Sequence, residues 1–296
     1  MKTKYLPRLV FLIFILSSCI QNNCNAYGES VPDTAKKSLI FGPEYHFSEY
    51  LLEYFHYLHH DYVNRYFLEN NTYLEAAFFS IGPHFYCFGE VEVDVGMGRQ
   101  PGAILMDPRD FDEGFGPKLE YRLPGYTLRC GLDHHCFHQI DELEWNTLYW
   151  NKLFVSIGSE NLRDGEFKEY VRKNPTLNWR QRLTWQLGYG FFVHKFFGVL
   201  DTNTLSWGNS YVHEIASACR FAPYVCGRYA AVVAWNNKVR IDRAGRWLWT
   251  EQLSLESMVT HGAYGLSVFY NWFFLDQSIP RENRDRLMEA GIRIFM

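Results

Sequence analysis

The sequence predicts an all-β fold, an antiparallel transmembrane β-barrel of about ten or about twelve strands with an N-terminal amphipathic helix. Three observations lead to this fold class. Apolar and polar residues alternate with a period of two in many segments. These segments are about nine to fourteen residues long, close to the length that crosses a bilayer when tilted. Short and long connections alternate between them, as in outer-membrane barrels.

The composition is consistent with contact to lipid. Aromatic residues make up 18% of the 296 residues, and aromatic rings are enriched where barrel walls meet the lipid headgroups. The formal net charge of -4 provides no basic surface for nucleic acid. We therefore expect membrane lipid as a partner and no nucleic acid. The composition does not indicate an oligomeric state.

The N-terminus has the features of an export signal. A positively charged start precedes the apolar segment 9–16, which is too short to span a bilayer. Residues 24–26 form an acceptable site for ordinary cleavage, which would make 1–26 a signal peptide. The four residues that end at Cys19 resemble a lipobox, and cleavage there would remove 1–18 and leave Cys19 acylated. Both alternatives send the chain out of the cytoplasm.

Residues 27–74 are predicted to be a linker followed by the amphipathic helix. Segment 27–45 is polar, and segment 48–69 places large apolar side chains at roughly helical spacing. The barrel is then predicted to occupy residues 75–296.

The predicted strands have one apolar face and one polar or small face. In strand 227–239, for example, Ala231, Val233 and Trp235 alternate with polar and small side chains. The predicted strands cover residues 84–97, 115–123, 126–140, 148–158, 183–197, 209–222, 227–239, 246–259, 262–275 and 287–296.

The connections between these strands predict the orientation of the barrel. Tight connections are expected at 124–125, around Pro223 and at 260–261, while those at the other end, such as 240–245, are longer. Segment 159–182 is long although it falls at the tight end. Because tight turns face the periplasm in such barrels, we expect this protein in the cell outer membrane.

The polar faces carry charges that are expected to line the lumen. These residues are Glu90, Glu92, Asp94, Arg122 and Arg129. We expect the carboxylates to pair with Lys118 and the two arginines across the interior. Side chains fill most of the interior of a small barrel, so the sequence argues against a general porin and favours a structural or surface barrel.

The densest group of reactive side chains lies on predicted strand 126–140. His134, Cys136 and His138 share one face because residues two apart in a strand point the same way. The strand begins at a tight turn, so these residues lie near its outer end on the lipid-facing wall. An imidazole can take the proton of a thiol two residues away. The candidate catalytic residues are therefore His134 as base, Cys136 as nucleophile, and His138 or Asp141 as the orienting group.

Two other interpretations of the same residues stay open. His134, Cys136 and His138 offer ligands suited to zinc or copper. The sequence identifies no fourth ligand, however, and so assigns no metal and no cofactor. The histidines are equally compatible with polar tips at the membrane interface.

The His-x-Cys spacing resembles the His-x-Ser strand of the outer-membrane phospholipase A and lipid A 3-O-deacylase families. Cys136 stands at the position of the serine, two residues after His134. The resemblance covers three residues and implies an envelope hydrolase that acts on phospholipid or lipid A.

A longer part of the chain resembles a bacterial outer-membrane family of unknown function. The similarity spans about residues 100–296 and implies a barrel and an envelope location, but no established activity. The motifs that carry it are Asp107-Pro108-Arg109, His134 to Glu142, Ile279 to Arg284 and Gly291-Ile292-Arg293.

Three functional hypotheses follow from the sequence. The first is a structural or surface barrel of the outer membrane. The second is an envelope lipid acyl hydrolase that uses the strand from His134 to His138. The third is a secreted soluble β-rich binding protein, in which the apolar faces would point inward.

Overall fold

The computed structural model describes residues 39–40, 46–59, 68–98, 107–140, 148–159, 182–193, 211–261, 264–277 and 286–295. Within these residues there are thirteen β-strands. They are β1 (Leu39–Ile40), β2 (His46–His59), β3 (Leu68–Ile81), β4 (Phe85–Gly98), β5 (Asp107–Leu123), β6 (Tyr126–Gln139), β7 (Leu148–Gly158), β8 (Leu183–Val193), β9 (Tyr211–Cys226), β10 (Tyr229–Asp242), β11 (Trp247–His261), β12 (Tyr264–Asp276) and β13 (Met288–Phe295). Over the same residues, no α-helix is long and apolar enough to cross a bilayer.

The twelve long strands, β2 to β13, close into a ring. Each strand pairs antiparallel with the strand before it and the strand after it, and β13 pairs back onto β2, with Ile292 opposite Tyr54. The short strand β1 pairs with β3, where Leu39 lies opposite Ile81. Because the ring has no open edge among these strands, their backbone polar groups find partners without water.

The distribution of side chains is the reverse of that in a soluble protein. On β7, Leu153, Val155 and Ile157 are exposed on one face, while Ser156 on the other face is buried. Elsewhere the buried set includes the carboxylates of Glu69, Glu75, Glu120, Glu214 and Glu289. An apolar exterior and a polar interior are what a bilayer requires of a barrel. This distribution contradicts the hypothesis of a soluble protein with its apolar faces inward.

The predicted N-terminal amphipathic helix is wrong. Segment 48–69 instead contains most of β2 and the start of β3. The apolar residues Leu51 and Phe55 are four apart, a spacing that shares a face in a helix and in a strand alike. Backbone pairing with β13 and β3 then stabilises the strand conformation. The barrel therefore begins at residue 46 rather than at residue 75.

The remaining predicted strands are all present, and all of them except β7 (148–158) have shifted ends. The largest shift is in β5, which begins at Asp107 and not at residue 115, because its first half is rich in Asp and Gly and shows little alternation. With β2 and β3 added, the ring has twelve strands, which was the alternative count.

The turns show which ends of the strands lie together. Short turns with Gly125 (φ 80°) and Gly227 (φ 59°) lie at one end of the ring, and a positive φ at these positions favours glycine. The turn predicted near Pro223 is displaced to 227–228, because Pro223 lies at a β-bulge inside β9, where no ladder hydrogen bond is required of it. The connection predicted to be long at 240–245 is also a short turn.

Candidate active site

The outer half of β6 and its two neighbours form the candidate site. β6 begins at the Pro124-Gly125 turn, so His134 to His138 lie toward the opposite end of the barrel. Leu128 on the same face of β6 and Phe115 on β5 are exposed, at 40% and 45%. This face is therefore the lipid-facing wall, as the sequence predicts.

His134 is held by a neighbouring strand rather than directed to Cys136. Its Nδ1 atom lies 2.8 Å from Oδ1 of Asn151, the residue directly opposite on β7. Because a carbonyl oxygen only accepts, Nδ1 is the nitrogen that donates a proton in this bond. His134 is 7% exposed, and its ring centroid lies 4.7 Å from that of Phe115 and 6.4 Å from that of Tyr149.

Cys136 contacts the second histidine of the strand. Its Sγ atom lies 3.0 Å from Nε2 of His138. Glu113, directly opposite Cys136 on β5, approaches the same nitrogen, with 3.9 Å between Oε1 and Nε2. The side chains of His138 and Glu113 are partly open, at 39% and 41% exposure. The thiol thus has an imidazole as neighbour, but this imidazole is not that of His134, the predicted base.

The structure therefore divides the three predicted residues into two contacts, His134 with Asn151 and Cys136 with His138. Sequence reasoning missed Asn151 and Glu113. A signal for Asn151 exists in the sequence, because it is polar within the otherwise apolar face that Leu153 and Val155 continue. Asp141, the other predicted orienting residue, lies outside the described residues, as does Cys19.

The predicted lumen carboxylates lie on the inward face of β4. Glu90 forms an ion pair with Lys118 and accepts a hydrogen bond from the Tyr73 hydroxyl at 3.0 Å. Glu92 accepts from Nδ2 of Asn71 at 3.2 Å. Asp94 lies opposite Asp112 of β5. The expected pairing with Lys118 is thus present for Glu90.

The two predicted lumen arginines share one buried carboxylate. Nε of Arg122 lies 2.6 Å from Oε1 of Glu120, and Nε of Arg129 lies 2.7 Å from Oε2. Glu120 is two residues before Arg122 on the same face and directly opposite Arg129. Local register therefore gives these arginines a nearer partner than the carboxylates of β4.

A second ionic network, which sequence reasoning missed, crosses from β6 to β10. His135 and Lys152 both contact Asp133 at 2.9 Å. Lys152 also contacts Glu214 at 2.9 Å, and Glu214 contacts Arg240 at 2.8 Å. Beside this network lies a cavity of about 390 Å³. The cavity is lined by side chains that include Gln186, Ser217, Asn236, Lys238, Thr250 and Gln252.

No protein-family model and no curated protein sequence matches the chain. Several solved structures are similar in fold. Outer membrane phospholipase A from Escherichia coli is 12% identical, with 84% of this chain and 91% of that chain covered and a TM-score of 0.47. An outer membrane channel from Pseudomonas putida F1 is 10% identical, with 90% and 99% covered and a TM-score of 0.49. The KdgM porin is 7% identical, with 83% and 97% covered and a TM-score of 0.42.

These TM-scores lie below 0.5, so the fold assignment rests on the strand pairing and the wall of the protein itself. A closed antiparallel ring with an apolar exterior and a charged interior is the architecture of outer-membrane barrels. The chain is an outer-membrane β-barrel. The predicted fold class and the predicted location in the outer membrane are thereby confirmed.

Proposed function

We propose that this barrel is an envelope lipid acyl hydrolase in which Cys136 is the nucleophile and His138 the base. The observation that carries the proposal is the 3.0 Å contact between Sγ and Nε2 on the lipid-facing wall. The substrates that suit the site are ester-linked acyl lipids, either phospholipid or lipid A.

The position of the polar groups supports a chemical role. Polar and ionisable groups on a lipid-facing surface are costly and are commonly functional. Here a thiol, two imidazoles, an amide and a carboxylate lie together at the outer end of a wall that is otherwise apolar. An acyl chain can lie along Phe115, Leu128 and Leu153, which are all exposed. Its ester then reaches Cys136 near the level of the headgroups.

The proposed reaction proceeds through a thioester. Nε2 of His138 takes the proton of the Cys136 thiol as the sulfur attacks the ester carbonyl carbon. The carbon–oxygen bond to the leaving alcohol breaks, and His138 returns the proton to that oxygen. A water molecule, deprotonated by His138, then attacks the thioester. This step releases the fatty acid and restores the thiol.

His134 and Asn151 are assigned a positioning role. Asn151 is fully buried and fixes the ring of His134 two residues before the nucleophile. His134 remains the base in the alternative form of the mechanism. The two forms differ in which histidine is needed for proton transfer, so single substitutions of His134 and His138 separate them.

The contents of the lumen argue against conduction as the main activity. Buried ion pairs line the interior between neighbouring strands at Glu120 and at Glu214, and between β11 and β13 at Glu256, which pairs with Arg293 at 2.9 Å. A structural or surface barrel is the function that stands if no lipid is hydrolysed.

The test is release of fatty acid by the purified, reduced barrel from phosphatidylethanolamine and from lipid A, measured by mass spectrometry. We expect Cys136→Ala to abolish release and His138→Ala to lower the rate by several orders of magnitude, as when a catalytic base is removed. Cys136→Ser should keep part of the activity if a hydroxyl can replace the thiol.

The matched control is Cys130→Ala, because Cys130 is an exposed cysteine on the same face of the same strand. It should leave the rate unchanged, and heat-modifiable gel mobility should show that all variants fold. Failure of the wild-type barrel to release an acyl chain from either lipid would refute the catalytic proposal.

A further inference from the structure

We propose that Glu113, Cys136 and His138 also form a binding site for a borderline divalent cation of the Zn²⁺ type. The site lies on the outer part of the lipid-facing wall. Its assignment rests on geometry alone and does not depend on catalysis.

The spacing of the three ligand atoms fits such an ion. Sγ of Cys136 and Nε2 of His138 are 3.0 Å apart, Nε2 and Oε1 of Glu113 are 3.9 Å apart, and all three atoms lie within 4.8 Å of one another. Zinc bonds of about 2.0 to 2.3 Å in tetrahedral geometry separate neighbouring ligand atoms by about 3.3 to 3.7 Å. Small side-chain rotations therefore suffice to bring the three atoms around one ion.

Strand register explains why these three residues meet. Glu113 is directly opposite Cys136 across β5 and β6, and His138 is the next residue of β6 on the same face. His134 shares this face, but its Nδ1 atom is engaged by Asn151 and its side chain is buried. The sequence of β6 alone suggests His134 as the third metal ligand. In the structure, the carboxylate of Glu113 is the third ligand instead.

The chemistry of the ligands selects the class of cation. A thiolate, an imidazole and a carboxylate together suit Zn²⁺, whereas Ca²⁺ takes six to eight oxygen ligands. Glu113 and His138 are partly exposed, so protein atoms do not close the remaining coordination position. Three protein ligands and one water form a typical open zinc site.

Occupation of the site has a consequence for the proposed hydrolase activity. A bound cation would hold Cys136 as a thiolate ligand and would occupy Nε2 of His138, so neither group could act in acyl transfer. If the proposed function holds, micromolar Zn²⁺ should inhibit fatty-acid release and a chelator should restore it.

The decisive experiment measures binding without any lipid substrate, using Co²⁺ as a spectroscopic probe. The full-length barrel is purified in chelator-free detergent, reduced with a phosphine and titrated with Co²⁺. We expect a thiolate-to-cobalt charge-transfer band together with the visible bands of tetrahedral Co²⁺. Zn²⁺ should displace Co²⁺ and abolish both kinds of band, whereas Ca²⁺ should leave the bands unchanged.

Variants show which residues bind the ion. Cys136→Ser should lose the charge-transfer band, and Glu113→Gln should weaken binding by about tenfold or more. Cys130→Ser is the matched control and should behave like the wild type. Absence of the band in correctly folded wild-type barrel would overturn the proposal, as would a band that persists in Cys136→Ser. Because no substrate is present, neither result bears on the hydrolase proposal.

Discussion

Removal of the carboxylate of Glu214 should destabilise the barrel far more than removal of an exposed charge. The carboxylate lies between two cations, with Oε1 at 2.9 Å from Nζ of Lys152 and Oε2 at 2.8 Å from Nε of Arg240. Glu214 is 3% exposed, so water can replace little of what the substitution removes. Glu214→Gln keeps the volume of the side chain and changes its charge, which excludes a cavity as the cause.

The loss of unfolding free energy depends on the cations that stay buried after the substitution. Removing one partner of a buried ion pair commonly costs about 3 to 5 kcal/mol, because the other charge stays buried. Lys152 keeps a second carboxylate, that of Asp133 at 2.9 Å, so we expect the lower end, about 3 kcal/mol. At about 1.36 kcal/mol per tenfold change, this is a factor of about 150 in the folding equilibrium.

The assay is urea unfolding of the refolded barrel in detergent micelles, followed by tryptophan fluorescence and by heat-modifiable mobility. The control is Arg246→Gln in the turn between β10 and β11, where the guanidinium is 66% exposed and pairs with Asp242. Asp242 is buried, but it also accepts a hydrogen bond from the backbone N–H of Arg246, which the substitution leaves in place. Loss of the exposed guanidinium should therefore cost about 0 to 1 kcal/mol. If Glu214→Gln and Arg246→Gln lower the free energy of unfolding equally, the network is not a buried structural element.

Two further predictions concern the wall and the N-terminus. Leu153→Arg, at the centre of β7 where Leu153 is 43% exposed on the outer face, should cost about 2 to 4 kcal/mol in lipid. Gln186→Glu adds a charge to the inward cavity that Lys238 also lines, and it should cost less than about 1 kcal/mol. Urea unfolding in lipid vesicles measures both costs, and the opposite order would contradict the assignment of the two faces. We also expect mass spectrometry of the mature protein to show an acylated Cys19, whereas a free amine at Tyr27 would show ordinary signal cleavage.

Much of the fold could be predicted from the sequence because side-chain alternation is a local property. Leu153, Val155 and Ile157 repeat every second residue, and this period alone indicates a strand with an apolar face. The prediction failed at β2, where residues such as Leu51 and Phe55 have a spacing shared by helix and strand. It also failed in the first half of β5, where Asp110, Asp112 and Gly114 lie among other polar residues and the alternation of apolar and polar side chains is weak. In both segments, the pairing with neighbouring strands determines the structure.

The candidate site was predictable only in part, for a related reason. The sequence places His134, Cys136 and His138 on one face and near the outer end of a strand. It contains no information on which residues of β5 and β7 lie opposite them. Register depends on the whole ring, and a slip of one residue would turn each neighbouring side chain to the other side of the wall.

By itself, the sequence predicted strands with one apolar face and one polar or charged face, and a thiol between two imidazoles on one of them. These properties follow from the order of residues along single strands. Only the tertiary structure decided that Asn151 holds His134, that His138 contacts Cys136, and that Glu113 joins them. The physical reason is that these contacts run across strands, and closure of the ring is what sets the register between the strands.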